Sequence, residues 1–245
     1  MMKIVLVHKF FYLRGGAEIF FRKTGEILEH RGHQVGYFSS RHPRNPPCPQ
    51  DRYFSKPPDY LADSLFKRAA SLRPLIYSPE AGRRFGLLLD DFQPDLVHAF
   101  HLNVHLSPSL LVAAARRGIP VVMSCNDYKH ICPNYKLYHH GRICEDCREG
   151  RFYRALLNRC CKDSIVFSAA GALEAYVHRL MNIHSRYVDT FTFATDFMAR
   201  KTEEFWGRGA FRWKKLRNPP AGPAAGEPVQ PGDYILYSGR LAEEK

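Results

Sequence analysis

The 245-residue sequence lacks several features that would place it in a familiar class of protein. It has no unbroken apolar run approaching the roughly 20 residues that a membrane-spanning helix requires. Its amino end runs directly into a charged segment without a small-residue cleavage site, so it resembles a first strand and not a signal peptide. It contains no internal repeat. With 45% hydrophobic and 24% charged residues, the composition is that of a globular protein, and we expect it to be cytoplasmic.

A nicotinamide-binding motif is also missing. Such a domain normally carries Gly-x-Gly-x-x-Gly after its first strand and an acidic residue at the end of its second strand. Here the first predicted strand is followed by Gly15-Gly16, and the second ends in Tyr37-Phe38-Ser39-Ser40 without a carboxylate. A dehydrogenase is therefore disfavoured.

Charge of one sign is in excess. The formal net charge is +12, which favours polyanions or anionic lipid as partners. Between Phe205 and Arg217 aromatic residues alternate with cations, a combination suited to a membrane interface on the inner face of the membrane. A solvated basic face is the alternative. No recognition motif for nucleic acid accompanies the charge, so nucleic acid is the less favoured partner.

Apolar strands alternate with amphipathic helices along the chain. The predicted strands are residues 3–8, 34–39, 95–99 and 120–124, and the predicted helices are residues 17–31, 60–71, 79–92 and 107–117. Short buried strands separated by helices are typical of a parallel sheet covered on both faces. The sequence therefore predicts an α/β fold, a Rossmann-like parallel sheet with helices on both faces.

The sequence also predicts a domain boundary. Residues 218–232 are rich in proline and glycine, which favours a linker. Residues 1–217 have the length of one ordinary domain. Residues 233–245 read as a strand, a turn and the start of a helix, so we interpret them as the truncated beginning of a second domain.

Ligands of parallel sheets bind beyond the carboxyl ends of the strands, here the loops after His8, Ala99 and Ser124. In the first loop, Gly15-Gly16 precedes a helix, where close backbone approach and free N–H groups suit a phosphate. A simple tight turn is the alternative. In the third loop, Asn126-Asp127 could hydrogen-bond a sugar hydroxyl or a leaving phosphate, although such pairs are also common turn formers.

Seven cysteines need a separate explanation, because structural disulfides are not expected in the cytoplasm. The pattern suggests a four-thiolate zinc cluster with a structural role, most metal-like at its Cys-x-x-Cys pair. The four candidate ligands are Cys132, Cys144, Cys147 and Cys160. Reduced thiols packed in a small subdomain are the alternative, and Cys161, His139 and His140 are competing ligands.

Taken together, the motifs resemble those of the family 4 retaining glycosyltransferases, which have the GT-B fold of two facing Rossmann-like domains. The resemblance is carried by Gly15-Gly16-Ala17-Glu18, Pro94 to His101, Asn126-Asp127-Tyr128-Lys129, Asn218-Pro219, and Gly239-Arg240 to Lys245. It extends over the whole chain, and the order and spacing of the motifs carry it more than any single one.

The resemblance implies that a nucleotide-diphosphate sugar binds mainly to the second domain, while the amino-terminal domain binds a lipid-linked or polysaccharide acceptor. Gly15, Gly16 and Glu18 would then belong to the substrate side of the cleft, with the glycines facing the diphosphate. Arg240 and Lys245 match the basic pair that neutralises the departing pyrophosphate, a charge that develops in the transition state. No metal would be required for catalysis.

Asn126 departs from the family pattern, which commonly has His-Asp where this chain has Asn126-Asp127. Asparagine can hydrogen-bond the transferred sugar but cannot carry a proton near neutral pH, which puts sugar choice or rate in doubt. Asp127 keeps the match, and His101 occupies a comparable position after the preceding strand. We expect no sugar transfer by the chain alone. The alternative is a non-catalytic half that binds the acceptor, or an accessory protein, at the membrane surface.

Overall fold

The computed structural model describes residues 1–57, 76–103, 105–219, 232, 233 and 235. The predicted helix at residues 60–71 lies outside the described residues, as do Arg240, Lys245 and nearly all of the predicted linker and second domain. In the part of the chain that is described, no helix is both long and apolar enough to cross a bilayer.

The described residues form a six-stranded parallel sheet with the strand order β2-β1-β3-β4-β7-β8. Its strands are β1 (Lys3–Val7), β2 (Gln34–Phe38), β3 (Leu96–Ala99), β4 (Val121–Cys125), β7 (Thr190–Phe193) and β8 (Trp213–Lys215). A separate antiparallel hairpin pairs β5 (Tyr138–His139) with β6 (Arg142–Ile143). The predicted α/β class and parallel sheet are confirmed.

Seven α-helices lie in the described residues. They are α1 (Gly16–His30), α2 (Pro79–Phe92), α3 (Ser109–Ala115), α4 (Tyr153–Leu157), α5 (Ile165–Leu180), α6 (Ile183–Tyr187) and α7 (Asp196–Trp206). The ends of α2 follow from local chemistry. Ser78 Oγ accepts a hydrogen bond from the N–H of Ala81 at the start of the helix, Pro79 takes a first-turn position where its missing N–H costs nothing, and Gln93 adopts a left-handed conformation at its end.

Successive side chains of β1 contribute to two cores, one on each face of the sheet. Val5 and Val7 contribute to the core beneath α2 and α3, whereas Ile4 and Leu6 pack against α1. Successive side chains of a strand point to opposite faces, so a strand that is buried on both sides must be apolar at every position. This is why β1 reads as a continuous apolar run.

The strand order reverses at β1, since β2 lies on one side of it and β3 on the other. The crevice at such a switch point is where open α/β sheets bind ligands. The backbone N–H of Lys9, in the loop after β1, donates to the carbonyl of His101, in the loop after β3, at 2.9 Å. The two loops that flank the crevice are therefore joined.

A long excursion separates β4 from its sheet neighbour β7. The chain leaves the sheet at Cys125, forms the β5-β6 hairpin and helices α4 to α6, and returns at Thr190 beside β4. The aromatic segment that the sequence suggested for a membrane interface then packs inward. Trp206 lies edge-on to Phe191 and Trp213 edge-on to Phe193, with ring centroids 5.5 and 6.2 Å apart. These two indole rings support the core beside β7.

Candidate functional site

Side chains from three adjacent strands meet at the carboxyl edge of the sheet. His8 follows β1, His101 follows β3 and Asp127 follows β4. The two imidazole centroids are 5.3 Å apart, and Nε2 of His101 lies 3.5 Å from Oδ2 of Asp127. The structure thus brings His101 and Asp127 together. His8 was not singled out by the sequence analysis, although a histidine that ends an apolar strand at this edge was a usable signal.

His8 is fully buried between this edge and helix α1. Its Nδ1 lies 2.9 Å from the carbonyl oxygen and 3.1 Å from the amide nitrogen of Phe10, while its Nε2 lies 3.8 Å from Oε1 of Glu18. Burial lowers the pKa of His8 to about 3, and the neighbouring His101 contributes in the same direction. His8 is therefore neutral near pH 7.

Glu18 extends this row of contacts to the glycine pair. It occupies the first turn of α1, is 6% exposed, and its Oε2 is the nearest atom, at 3.9 Å, to the place where a Cβ on Gly15 would stand. Lys9 lies beside it. Burial lowers the pKa of Lys9, and the carboxylates of Asp127 and Glu18 partly offset that effect. A continuous row of polar groups thus runs from Gly15 to Asp127.

The fold of the chain does not require glycine at position 15 or 16. Both are exposed, Gly15 has an extended backbone with φ −175°, and a Cβ on Gly16 would meet no atom within 4 Å. The N-cap residue of α1 is Gly15, so no side chain at this position caps the first N–H groups of the helix. A ligand that approaches the backbone closely would give these glycines a function.

The two carboxylate oxygens of Asp127 make different contacts. Oδ1 accepts a hydrogen bond from the N–H of Lys129 at 3.0 Å, which is the turn that the sequence offered as an alternative. Oδ2 faces His101. Next to it, the buried Nδ2 of Asn126 donates to no acceptor among the described residues, and Nε2 of His101 is likewise without a hydrogen bond there. The site therefore contains buried polar atoms that make no hydrogen bond among the described residues.

The candidate zinc ligands lie in the excursion between β4 and β7. All four are free thiols, and no three of their sulfur atoms lie within 4.8 Å of one another. The described residues do contain one such group of candidate ligands, formed by His139, His140 and Asp163. Burial raises the pKa of Cys147 to about 12, with Cys132 and Cys144 contributing in the same direction.

A cavity of about 320 Å³ lies to one side of this row. It is lined by residues of α5, α6 and α7 together with the start of the excursion, including His130, His184 and Trp206, and it does not include Gly15, His101 or Asp127. Burial lowers the pKa of His184 to about 3, and His130 and His178 add to the shift. We regard this cavity as secondary to the strand-end site, which has the unsatisfied donors.

These features define a Rossmann-like domain with a row of polar side chains at its switch point. The model of glycosyltransferase family 4 matches residues 14–215, and the chain belongs to that family. No curated protein matched the sequence.

Solved structures with a similar fold include sucrose-phosphate synthase from Thermosynechococcus elongatus, at 12% identity and TM-score 0.50, covering 89% of this chain and 48% of that one. UDP-N-acetylglucosamine 2-epimerase from Rickettsia bellii matches at 14% identity and TM-score 0.44, covering 89% and 45%. A UGT transferase from Siraitia grosvenorii in complex with UDP matches at 10% identity and TM-score 0.43, covering 88% and 50%. The chain thus spans about half the length of these structures, and at these identities the likeness concerns the fold alone.

Proposed function

We propose that this chain is the acceptor-side half of a retaining glycosyltransferase that transfers a sugar from a nucleotide-diphosphate sugar to a lipid-linked or polysaccharide acceptor. Family membership supports the transferase. The observation that carries the rest is the row of polar groups from Gly15 to Asp127 at the switch point, in which buried donors lack partners among the described residues. Leaving such groups unpaired costs about 1–3 kcal/mol each, so a polar substrate is the expected partner.

The donor diphosphate would face the amino terminus of α1. The N–H groups there favour an anion, and the missing Cβ atoms of Gly15 and Gly16 allow the backbone to approach it. Arg240 and Lys245, which lie outside the described residues, would neutralise the pyrophosphate as it leaves. Cations aimed at charge that develops in the transition state accelerate the reaction directly. On this proposal catalysis requires no metal.

The sugar and the acceptor hydroxyl would meet at the other end of the row. Asn126 would donate from Nδ2 to a hydroxyl of the transferred sugar, since an amide can donate but cannot take up a proton. Burial lowers the pKa of His101 and Lys9 adds to that, against the opposing effect of Asp127. A neutral His101 can accept a hydrogen bond from the acceptor hydroxyl, and Asp127 would orient it.

A membrane surface is the partner that we propose for a lipid-linked acceptor. The cationic chain has the charge for an anionic surface, and α5 exposes apolar side chains, among them Val166, Leu173 and Leu180, that are 66%, 53% and 84% exposed. Co-sedimentation should recover more protein with phosphatidylglycerol vesicles than with phosphatidylcholine vesicles, and Val166→Glu should reduce the recovery. Equal recovery with both lipids would contradict this part of the proposal.

The transferase proposal is tested by expressing residues 1–245 and the product of any reading frame that continues beyond Lys245. Each is incubated with UDP- and GDP-sugars and a membrane-lipid or polysaccharide extract. We expect the longer product to release nucleoside diphosphate only when acceptor is present, with the anomeric configuration of the donor kept in the product, and residues 1–245 alone to release none.

Asp127→Ala should lower that release, and Asp90→Ala, at an exposed carboxylate paired with Arg117, should not. Inversion of the anomeric centre would rule out retention. A reading frame that ends at Lys245, together with acceptor binding by residues 1–245, would favour the non-catalytic alternative.

A further inference from the structure

Four of the cysteines in the excursion between β4 and β7 lie at separate positions along the chain. Cys132 lies in the loop after β4, Cys144 directly follows β6, Cys147 precedes the short 3₁₀ turn Arg148–Gly150, and Cys160 follows α4. Cys147 and Cys160 share one small apolar cluster with Phe152, Ala155 and Ala172. The strand-end site uses none of these thiols.

Hydrogen bonds fix the backbone around these cysteines. The Sγ of Cys132 donates to Oδ1 of Asn134 at 3.0 Å, and Nδ2 of Asn134 donates to the carbonyl of Cys160 at 3.3 Å. The N–H of Cys144 donates to the carbonyl of Leu137 at 2.9 Å. One asparagine and one hairpin contact therefore connect the segments that carry Cys132, Cys144 and Cys160.

Two of the sulfurs also face backbone N–H groups. Those of Asn134 and Leu137 are directed at the sulfur of Cys132, and that of Ala155 at the sulfur of Cys147. Leu137 itself adopts a left-handed backbone with φ 52°, a conformation that a branched side chain seldom takes without compensation. Hydrogen bonds from the backbone to a ligand atom help to orient it for a metal ion.

The apolar cluster around Cys147 is small, and Cys132 packs in a separate cluster with Ile131 and Leu137. Besides its cysteines, the cluster around Cys147 holds one aromatic ring, that of Phe152, and alanines. Small apolar clusters are often supplemented by a disulfide or a metal. Disulfides are absent here, since all seven cysteines are free.

We propose that Cys132, Cys144, Cys147 and Cys160 bind one structural Zn²⁺ as four thiolates. Four sulfur ligands leave no open position for a substrate, which is typical of a structural site. Binding releases the thiol protons and draws the sulfurs to about 3.8 Å apart, the edge of a tetrahedron with Zn–S bonds of about 2.3 Å.

Cys160 is preferred over Cys161 as the fourth ligand. Cys160 packs in the cluster of Cys147, whereas the sulfur of Cys161 lies against Gly171, 3.3 Å from the place of its Cβ. The ion would fix the excursion that follows Asn126 and Asp127, and so the position of those two residues.

The first test measures zinc by plasma mass spectrometry in protein purified without chelator. We expect about one zinc per chain in the wild type and a loss of most of it in Cys144→Ser and Cys147→Ser. Cys48 is a buried cysteine in the 40–57 loop, and Cys48→Ser should retain the zinc. His140→Ala separates the thiolate site from the neighbouring His139, His140 and Asp163 group. Zinc well below stoichiometric in the wild type, or zinc that depends on His140 and survives the cysteine substitutions, would overturn the proposal.

A second test does not depend on whether the variants fold. Wild-type protein stripped of zinc is titrated with Co²⁺ and its absorption spectrum recorded. Four thiolates should give intense tetrahedral d–d bands and a sulfur-to-cobalt charge-transfer band that saturate at about one equivalent and disappear on addition of Zn²⁺. A weak, octahedral-type spectrum would refute the site.

Discussion

The ammonium of Lys129 donates to Oε2 of Glu174 at 2.7 Å, and both side chains are almost completely buried. The same ammonium donates to the carbonyl of Pro133 at 3.1 Å. Burial lowers the pKa of Lys129, but the Glu174 carboxylate, with smaller contributions from Cys161 and Cys132, raises it overall, so the lysine stays charged. The pair ties the loop that carries Asn126 and Asp127 to α5.

Breaking this pair on one side should be costly. Glu174→Leu leaves the Lys129 charge buried without its partner, and we expect a loss of about 3–5 kcal/mol in the free energy of unfolding. The double variant Lys129→Met, Glu174→Leu should recover most of the loss, because an apolar pair needs no solvation. Urea denaturation of the wild type, both single variants and the double variant gives the coupling energy. Additive effects would show that the pair is not an energetic unit.

The glycine pair should matter for the substrate and not for folding. Gly16→Ala places a methyl group in open space at the first position of α1, where alanine is the better helix former by about 0.5–1 kcal/mol. We expect an unchanged or higher Tm together with slower acceptor-dependent transfer by the form that carries the second domain.

Gly25→Ala in the same helix is the matched control. A Cβ there would lie against the hydroxyl of Tyr37 and 3.0 Å from its Cζ, so the variant should unfold more easily by about 1–3 kcal/mol. If Gly16→Ala lowers Tm as much as Gly25→Ala, the glycine pair has a folding role instead.

Asp127 should set the protonation of its histidine neighbour. Burial holds the pKa of His101 below its usual value, and the Asp127 carboxylate opposes that shift. Asp127→Asn keeps the oxygen that accepts from Lys129 but removes the charge, so the NMR titration of the His101 ring should move to lower pH. Asp90→Asn, whose carboxylate is exposed beside Arg117, should leave it in place. A shift to higher pH in Asp127→Asn would contradict the assignment.

Acid should destabilise the chain through its buried histidines. Burial lowers the pKa of His184 to about 3, and burial alone lowers that of His98 to about 4. The unfolded chain, with histidine pKa values near 6.5, therefore binds more protons than the folded chain between those limits. The stability that these neutral histidines contribute to the folded chain is fully present above pH 6.5 and is lost as the pH falls toward 4.

Each such histidine adds at most about 1.4 kcal/mol per pH unit to that slope. His184→Phe should make the urea midpoint less dependent on pH between 6.5 and 4, whereas His30→Gln, at an exposed position, should not. An unchanged slope in His184→Phe would argue against a neutral His184 in the folded chain.

The first half of the sheet was predictable from sequence because its strands are buried on both faces. β1, β2, β3 and β4 each read as short, mostly apolar runs next to amphipathic helices, and their observed limits agree with prediction to within about two residues. The strand-end site followed from the same logic, since parallel strands bring the residues after their carboxyl ends to one edge.

The second half gave no such pattern. β7 reads Thr-Phe-Thr-Phe, and its buried Thr192 hydrogen-bonds Ser124 Oγ at 2.7 Å, so it looks only half apolar in sequence. β8 has three residues, two of them exposed lysines. The sequence suggested that the aromatic residues near Trp213 face a membrane. Sequence spacing alone does not reveal that they pack against Phe191 and Phe193.

The placement of β7 beside β4 has a consequence for how the chain folds. Cys125 pairs with Phe193 and Val122 with Thr190. These two strands can therefore pair only after the two ends of the long excursion between them have come together. The entropy of closing a loop rises with its length, and contacts far apart in sequence slow folding. Structure that forms early inside the excursion, at the hairpin and in α5, shortens the segment that must be closed, so folding speed should respond to changes there even though they lie outside the sheet.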